Sequence, residues 1–311
     1  MRRFVIWSGR VLAVVLGLAL LGAVYESVSE AADARAYPPP GQMVDVGGYR
    51  LHLNCLGTGS PTVVIESGLG DWSASWNNSV QPQVARTTRV CTYDRAGMGY
   101  SEPGPLPRTA ARFSEELHTL LQRADISGPY VLAGHSSGGF TVRVFAAAYP
   151  AEVVGLVLID STTPGPGAQA EAPTSTGWLS IATLPARVGL PRLLAGPLDL
   201  KGGLAPEIGN AYVARSVTPR SAQAGLDEFV GLSQGAAEAA AVTSLGELPL
   251  IVLSRAPNRD LEWDRKQTDL LRLSSNSQHL FADRSGHNIQ FDQPEAAVNA
   301  MVQMVEQVRG Q

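Results

Sequence analysis

Apolar and polar positions divide this chain into three stretches of different texture. Residues 11–25 form an almost unbroken apolar run, and residues 42–162 and 247–311 carry short apolar runs separated by helical patterns. Between them, residues 163–246 lose the pattern among frequent Pro and Gly. Residues 43–53 alternate apolar and polar on either side of Gly47-Gly48, which predicts a hairpin with a two-residue turn. The runs at 62–66, 89–94, 130–134, 153–160, 248–254 and 279–282 lack such alternation, as strands of a parallel sheet covered on both faces do. Ala110, Phe113, Leu117, Leu120, Leu121 and Ala124 share one helical face. Ala297, Val298, Met301, Val302, Val305 and Val308 share another, with Pro294 near the helix start. Strand and helix in alternation predict an α/β, doubly wound sheet. A structureless loop is improbable over 163–246, so that stretch reads as an inserted cap on a core made of 42–162 and 247–311.

The N-terminal run changes the expected compartment. Arg2, Arg3 and Arg10 precede it, as in the basic and apolar regions of a secretory signal. Ala32, Ala34 and Ala36 offer late cleavage points. Alternatively residues 4–25 form an uncleaved anchor, reaching the ~20 residues of a span only by tolerating Ser8 and Arg10. Both readings put the basic end inside, so the protein is expected to be membrane-anchored facing outside the cytoplasm, or secreted. The anchor is the preferred reading, with segment 1–36 followed by a stiff Tyr37-Pro38-Pro39-Pro40-Gly41 linker. Outside the cytoplasm Cys55 and Cys91 can pair or stay as two buried thiols, and they lack metal-ligand spacing.

Composition narrows the function classes. With 311 residues, 44% hydrophobic and 17% charged, the chain is neither disordered nor a coiled coil, and its core needs no staples. Net charge is −4 and no Lys/Arg cluster lies beyond the N-terminus, which excludes a nucleic-acid footprint. Five histidines leave few candidates for a base.

The richest segment is Gly134-His135-Ser136-Ser137-Gly138, between a predicted strand and a predicted helix. A serine hydroxyl is a poor nucleophile unless a base is held beside it. A tight strand-to-helix turn lifts its Oγ clear of the strand end, and flanking glycines remove the clashes of that turn. The glycine spacing selects Ser136 over Ser137.

Together with Glu66-Ser67-Gly68-Leu69-Gly70, Tyr93-Asp94-Arg95-Ala96-Gly97-Met98-Gly99-Tyr100-Ser101 and Ser285-Gly286-His287, this turn resembles the α/β-hydrolase fold superfamily. Within it the chain looks like an exported, capped serine hydrolase of the esterase, lipase or aminopeptidase kind. The resemblance runs from about Gln42 to Val308 and implies a mostly parallel eight-stranded sheet with helices on both faces. It also implies that the second and fourth strands are neighbours, which would bring Cys55 and Cys91 together as a disulfide. The superfamily orders its triad as serine, acid, histidine. His52 and His118 precede Ser136, His135 is pinned beside it, and His279 opens a strand, so His287 is the expected base. The acid stays open between Asp260, after the seventh strand at the usual family position, and Asp160, which ends the sixth. Glu262 and Asp264 are weaker alternatives. The family pattern assigns the oxyanion hole to the backbone N–H groups of Leu69 and Ser137. Asp94 and Arg95 are expected to be structural, as a buried ion pair or loop brace.

Such a site implies acyl transfer to water from an ester or amide, with a small-molecule or lipid-like acyl substrate, no cofactor and no metal. Epoxide and haloalkane hydrolysis are disfavoured, because those relatives need a carboxylate where Ser136 stands. Neither H-E-x-x-H nor a phosphate-loop motif occurs. Two alternatives remain: an acyltransferase on the same triad, and a catalytically silent envelope binding protein. Trp178, Leu179, Ile181, Leu184, Leu190, Leu193, Leu194 and Phe229 are expected either to line an acyl site or to pack the cap on the core. Glu171, Glu207, Asp227, Glu228 and Glu238 could hold a substrate ammonium or simply be solvated.

Overall fold

The computed structural model describes residues 2–165, 177, 179–199, 204–256 and 260–310, so Glu171 and Trp178 lie outside the described residues. Helix α1 (Arg2–Ala36) precedes the folded domain. The core begins with β1 (Gln42–Asp45), β2 (Arg50–Leu56), β3 (Thr62–Glu66), the short α2 (Ala74–Asn77) and α3 (Gln81–Val84), and β4 (Val90–Tyr93). It continues through α4 (Ala110–Arg123), β5 (Tyr130–His135), α5 (Gly138–Ala148) and β6 (Val153–Ile159). The cap contributes α6 (Leu184–Arg187), α7 (Leu190–Ala195), α8 (Pro206–Ser216) and α9 (Pro219–Ala241). The core resumes with β7 (Leu250–Arg255), α10 (Leu261–Leu270), β8 (Ser277–Ala282), α11 (Ile289–Asp292) and α12 (Pro294–Arg309).

The eight strands make one sheet in the order β1-β2-β4-β3-β5-β6-β7-β8, antiparallel at β1-β2 and β2-β4 and parallel elsewhere. Successive side chains leave a strand on opposite faces, so an unbroken apolar run feeds two cores. Val64, Leu132, Leu156 and Val252 pack with Leu117, Leu120 and Phe145 of α4 and α5. Their neighbours Val63, Val131, Val157 and Ile251 pack on the other face with Trp76 and with Met301, Met304 and Val305 of α12. The Gly47-Gly48 turn closes with Val46 N–H donating to Tyr49 O at 2.9 Å. Cys55 and Cys91 face each other across β2 and β4, and their sulfurs are bonded at 2.05 Å. Strand limits differ from the expected runs by at most two residues, and α5 starts at Gly138, within the serine turn itself.

The carboxyl ends of the parallel strands share one edge, which in open α/β sheets is where sites are built. The 23-residue α9 closes over that edge against α4 and α5. Contact is close because of Gly231, where a Cβ would lie 1.9 Å from Arg108 O. Arg143 of α5 donates to Ala239 O and Val242 O, tying α5 to the C-terminal end of α9. The cap leucines are a correction. Ile181, Leu184, Leu190, Leu193, Leu194 and Phe229 are exposed, so they neither line an acyl site nor pack the cap on the core. Helix α1 is long and apolar enough to cross a membrane, and most of its apolar side chains are exposed.

Candidate active site

Ser136 lies between β5 and α5 with φ of +52°, a conformation that costs a residue with a Cβ and is kept only where the surroundings impose it. Here they do. A Cβ on Gly134 would lie 2.8 Å from Gly138 O, and one on Gly138 would lie 2.6 Å from Ser67 O. The glycines therefore let strand, turn and helix close up and leave the serine at the crest. Ser136 N–H donates to Ile159 O at 3.2 Å, tying the turn to the end of β6.

His135 and Ile159 are partners in the β5–β6 register, so the next residues, Ser136 and Asp160, emerge side by side. His287, in the loop between β8 and α11, bridges them. Its Nε2 is 2.9 Å from Ser136 Oγ and its Nδ1 is 2.6 Å from Asp160 Oδ2. Asp160 is fully buried, whereas the His287 side chain is 35% exposed and open to a substrate. The other oxygen of Asp160 accepts from Arg255 N–H at 3.1 Å and from Trp263 Nε1 at 2.9 Å. The Trp263 ring also stands edge-on to His287, with centroids 5.6 Å apart. On the opposite side His135 Nε2–H donates to His287 O at 2.9 Å. Burial, reinforced by the nearby His287, pushes the His135 imidazole down to about 4, so it is uncharged at neutral pH. Thr162 Oγ1 is 3.5 Å from Ser136 Oγ.

Asp260 does not reach His287, which corrects the first of the two acid candidates. It is half exposed, and Oδ1 caps α10 by accepting from Glu262 N–H and Trp263 N–H, both at 3.1 Å. Its other oxygen is 3.5 Å from Arg255 Nη2. The carboxylate thus holds the helix that carries Trp263, one step removed from the histidine. Strand β7 ends at Arg255, and the loop after it carries Asp260 away from the strand end.

Leu69 and Ser137 line one small cavity beside the serine turn, with Arg95, Phe113, Phe140 and Glu228 among its walls. Its free volume is about 20 Å³, room for about one water. Arg95 braces the loop that carries Leu69. Its Nη1 donates to Ser67 O at 2.7 Å and its Nη2 to Gly68 O at 2.6 Å. A trans peptide holds C=O and N–H in opposite directions, so fixing Gly68 O also fixes the direction of Leu69 N–H. Arg95 is held by Glu66 at 2.6 Å and by Glu228 of α9 at 2.6 Å, all three side chains being buried. Glu228 also accepts from Gly70 N–H at 3.0 Å. Burial pushes the Glu66 carboxyl up against the pull of Arg95. Asp94 pairs instead with His52, at 2.9 Å.

Sequence reasoning named Ser136, His287, Asp160, Leu69 and Ser137, and the structure gathers all five around one turn. It passed over Trp263, whose role depends on a helix placed by the cap of Asp260. It left Glu228 open between holding a substrate ammonium and being solvated, whereas Glu228 is buried on Arg95.

Comparison with known proteins agrees with this architecture. Residues 61–179 match a family described as alpha/beta hydrolase fold. An uncharacterised protein of Schizosaccharomyces pombe is 34% identical over 155 residues, covering 40% of this chain and 29% of that protein. The 2-hydroxy-6-oxononadienedioate/2-hydroxy-6-oxononatrienedioate hydrolase of Cupriavidus pinatubonensis is 35% identical over 130 residues, covering 40% of this chain and 45% of that enzyme. The chain thus spans under half the length of both curated relatives. A thermophilic esterase from Thermogutta terrifontis superposes with a TM-score of 0.64 at 20% identity, over 86% of this chain and 98% of that one.

Proposed function

We propose that this chain, which has the α/β-hydrolase fold, is a serine hydrolase of that superfamily and cleaves a carboxylic ester through an acyl-enzyme. The observation that carries the reading is the continuous hydrogen-bonded series from Asp160 through His287 to Ser136, with links of 2.6 and 2.9 Å. In the first half-reaction Ser136 Oγ attacks the acyl carbon while His287 Nε2 takes its proton. Asp160 holds Nδ1–H in place, so that Nε2 stays free to accept, and stabilises the imidazolium that forms. The carbonyl oxygen becomes an oxyanion, for which the N–H groups of Leu69 and Ser137 are the donors. His287 then returns the proton to the departing alcohol. Water repeats the sequence on the acyl-enzyme and frees Ser136.

An uncharged acyl group suits the walls of the cavity. The substrate in the name of the Cupriavidus relative is a dicarboxylate, which a free cation would recognise. Here Arg95 is paired with Glu66 and Glu228, and Arg108 with Glu116. At about 20 Å³ the cavity beside the serine turn is too small, as it stands, for an acyl chain. We place this enzyme on the outer face of a membrane, held there by α1.

The test is labelling with a fluorophosphonate, which needs an activated serine but no knowledge of the substrate. Wild type should label, whereas Ser136→Ala and His287→Ala should not. Labelling that persists in Ser136→Ala refutes the nucleophile, and a folded wild type that does not label points to a silent scaffold. A panel of p-nitrophenyl esters and aminoacyl amides then separates esterase from peptidase.

A further inference from the structure

We propose that the outer face of the cap is seated in the headgroup–acyl boundary of the bilayer that α1 crosses, and that α1 is a retained part of the folded enzyme and not a removable signal. The inference rests on α1 crossing a membrane and is independent of the chemistry assigned to Ser136.

From Phe4 to Val24 the helix rises about 30 Å, the thickness of a bilayer's hydrocarbon core. Among the described side chains the large apolar residues of this stretch are exposed, and Arg10 is near enough to the basic end to extend toward the headgroups on that side. The cap touches α1 where this stretch ends. A Cβ on Gly22 would lie 2.5 Å from Val188 O, and one on Gly189 would lie 2.9 Å from Tyr25 Cδ1. The turn between α6 and α7 is therefore level with the outer boundary of the bilayer.

One turn further along α1, the contact becomes ionic. Arg192 of α7 donates from Nε and Nη2 to Glu26 at 2.8 and 2.9 Å, and from Nη1 to Asp33 at 2.5 Å. Glu26 is only 2% exposed. Cleavage after Ala32 would remove Glu26 from a largely buried arginine, and cleavage after Ala34 or Ala36 would remove both carboxylates. That cost argues for a retained helix.

Helical spacing then directs the rest of α7. Arg192 faces α1 and the buried Ala195 lies on the same side of the helix, which leaves Leu190, Leu193 and Leu194 on the other side, with Leu198 continuing the stripe. With Ile181 and Leu184 these make six aliphatic residues, 42–71% exposed, beginning at the level where the anchor leaves the bilayer. A patch of this kind marks an interaction surface, and the surface already beside it is lipid.

The test uses the full chain in phosphatidylcholine–phosphatidylglycerol vesicles. Leu194→Cys is labelled with an environment-sensitive nitrobenzoxadiazole, since the native cysteines are consumed in their disulfide. Gly17→Cys in the span and Gln122→Cys on the core serve as references. Lipids brominated on the acyl chain should quench the labels at 194 and 17 several-fold and leave that at 122 unchanged. Quenching at 17 with a solvent-like, unquenched label at 194 overturns the seated cap while leaving the anchor intact. A shielded but unquenched label at 194 shows that protein covers the patch, and also overturns it. An unquenched label at 17 removes the premise. The intact mass of the membrane-extracted protein should include Glu26 and Asp33; a mature N-terminus beyond Ala32 refutes retention.

Discussion

Asn in place of Asp160 isolates the orienting role of the acid, because the structure dictates how the amide must sit. Asp160 uses its two oxygens differently: Oδ1 accepts from Trp263 Nε1 and Arg255 N–H, whereas Oδ2 accepts from His287 Nδ1. In Asp160→Asn the amide oxygen keeps the first pair of donors, since the amide nitrogen cannot accept them. The NH2 group is then turned toward His287 and donates to Nδ1. That moves the ring proton to Nε2, which faces Ser136 and can no longer take its proton. A wrong-tautomer histidine of this kind costs about 10⁴ in kcat, or roughly 5.5 kcal/mol of transition-state stabilisation. Asp260→Asn is the matched control. Asn caps a helix as well as Asp does, and an exposed 3.5 Å contact with Arg255 contributes little, so kcat/KM should stay within about twofold of wild type. The assay is p-nitrophenyl butyrate hydrolysis together with the rate of fluorophosphonate labelling, with melting curves to show that both variants are folded. A folded Asp160→Asn enzyme that keeps a tenth of wild-type kcat, or a loss confined to Asp260→Asn, refutes the assignment of Asp160.

Two further outcomes follow from the loops around the serine. Glu228→Gln keeps the shape of the contact but removes the charge that holds Arg95, so kcat should fall ~10-fold, equivalent to about 1.4 kcal/mol, with KM nearly unchanged. A rise in KM alone in steady-state ester hydrolysis would mean that Glu228 contacts substrate instead of bracing the Leu69 loop. Replacing Cys55 and Cys91 together by serine opens a crosslink between residues 36 apart and should cost about 4 kcal/mol by the chain-entropy relation. Urea unfolding checks it, and a double variant as stable as wild type would show that register alone holds β2 on β4.

The parts of this molecule legible in its sequence are those where one physical requirement dominates a short segment. A strand buried on both faces must be continuously apolar, so β3, β5, β6 and β7 stand out. A serine at φ +52° needs close approach on either side, so Gly134 and Gly138 disclose it. The acid shows where this legibility ends. Asp160 and Asp260 both follow apolar strands, and local composition ranks neither. What separates them is pairing: Ser136 and Asp160 each lie one residue beyond the partners His135 and Ile159, on adjacent parallel strands about 4.8 Å apart. Asp260 instead meets the free N–H groups at the start of α10, and its carboxylate is spent there. Arg95 and Glu228 are 133 residues apart and meet only because α9 of the cap packs back against the core, so no spacing could announce them. The same limit governs the cap leucines. A stripe at positions 190, 193, 194 and 198 says that one face of the segment needs an apolar partner, but periodicity is identical for a protein core and for a bilayer. Under the seated-cap proposal Arg192 separates the two, since its pairing with Glu26 and Asp33 holds one side of α7 on α1 and leaves the stripe exposed on the other.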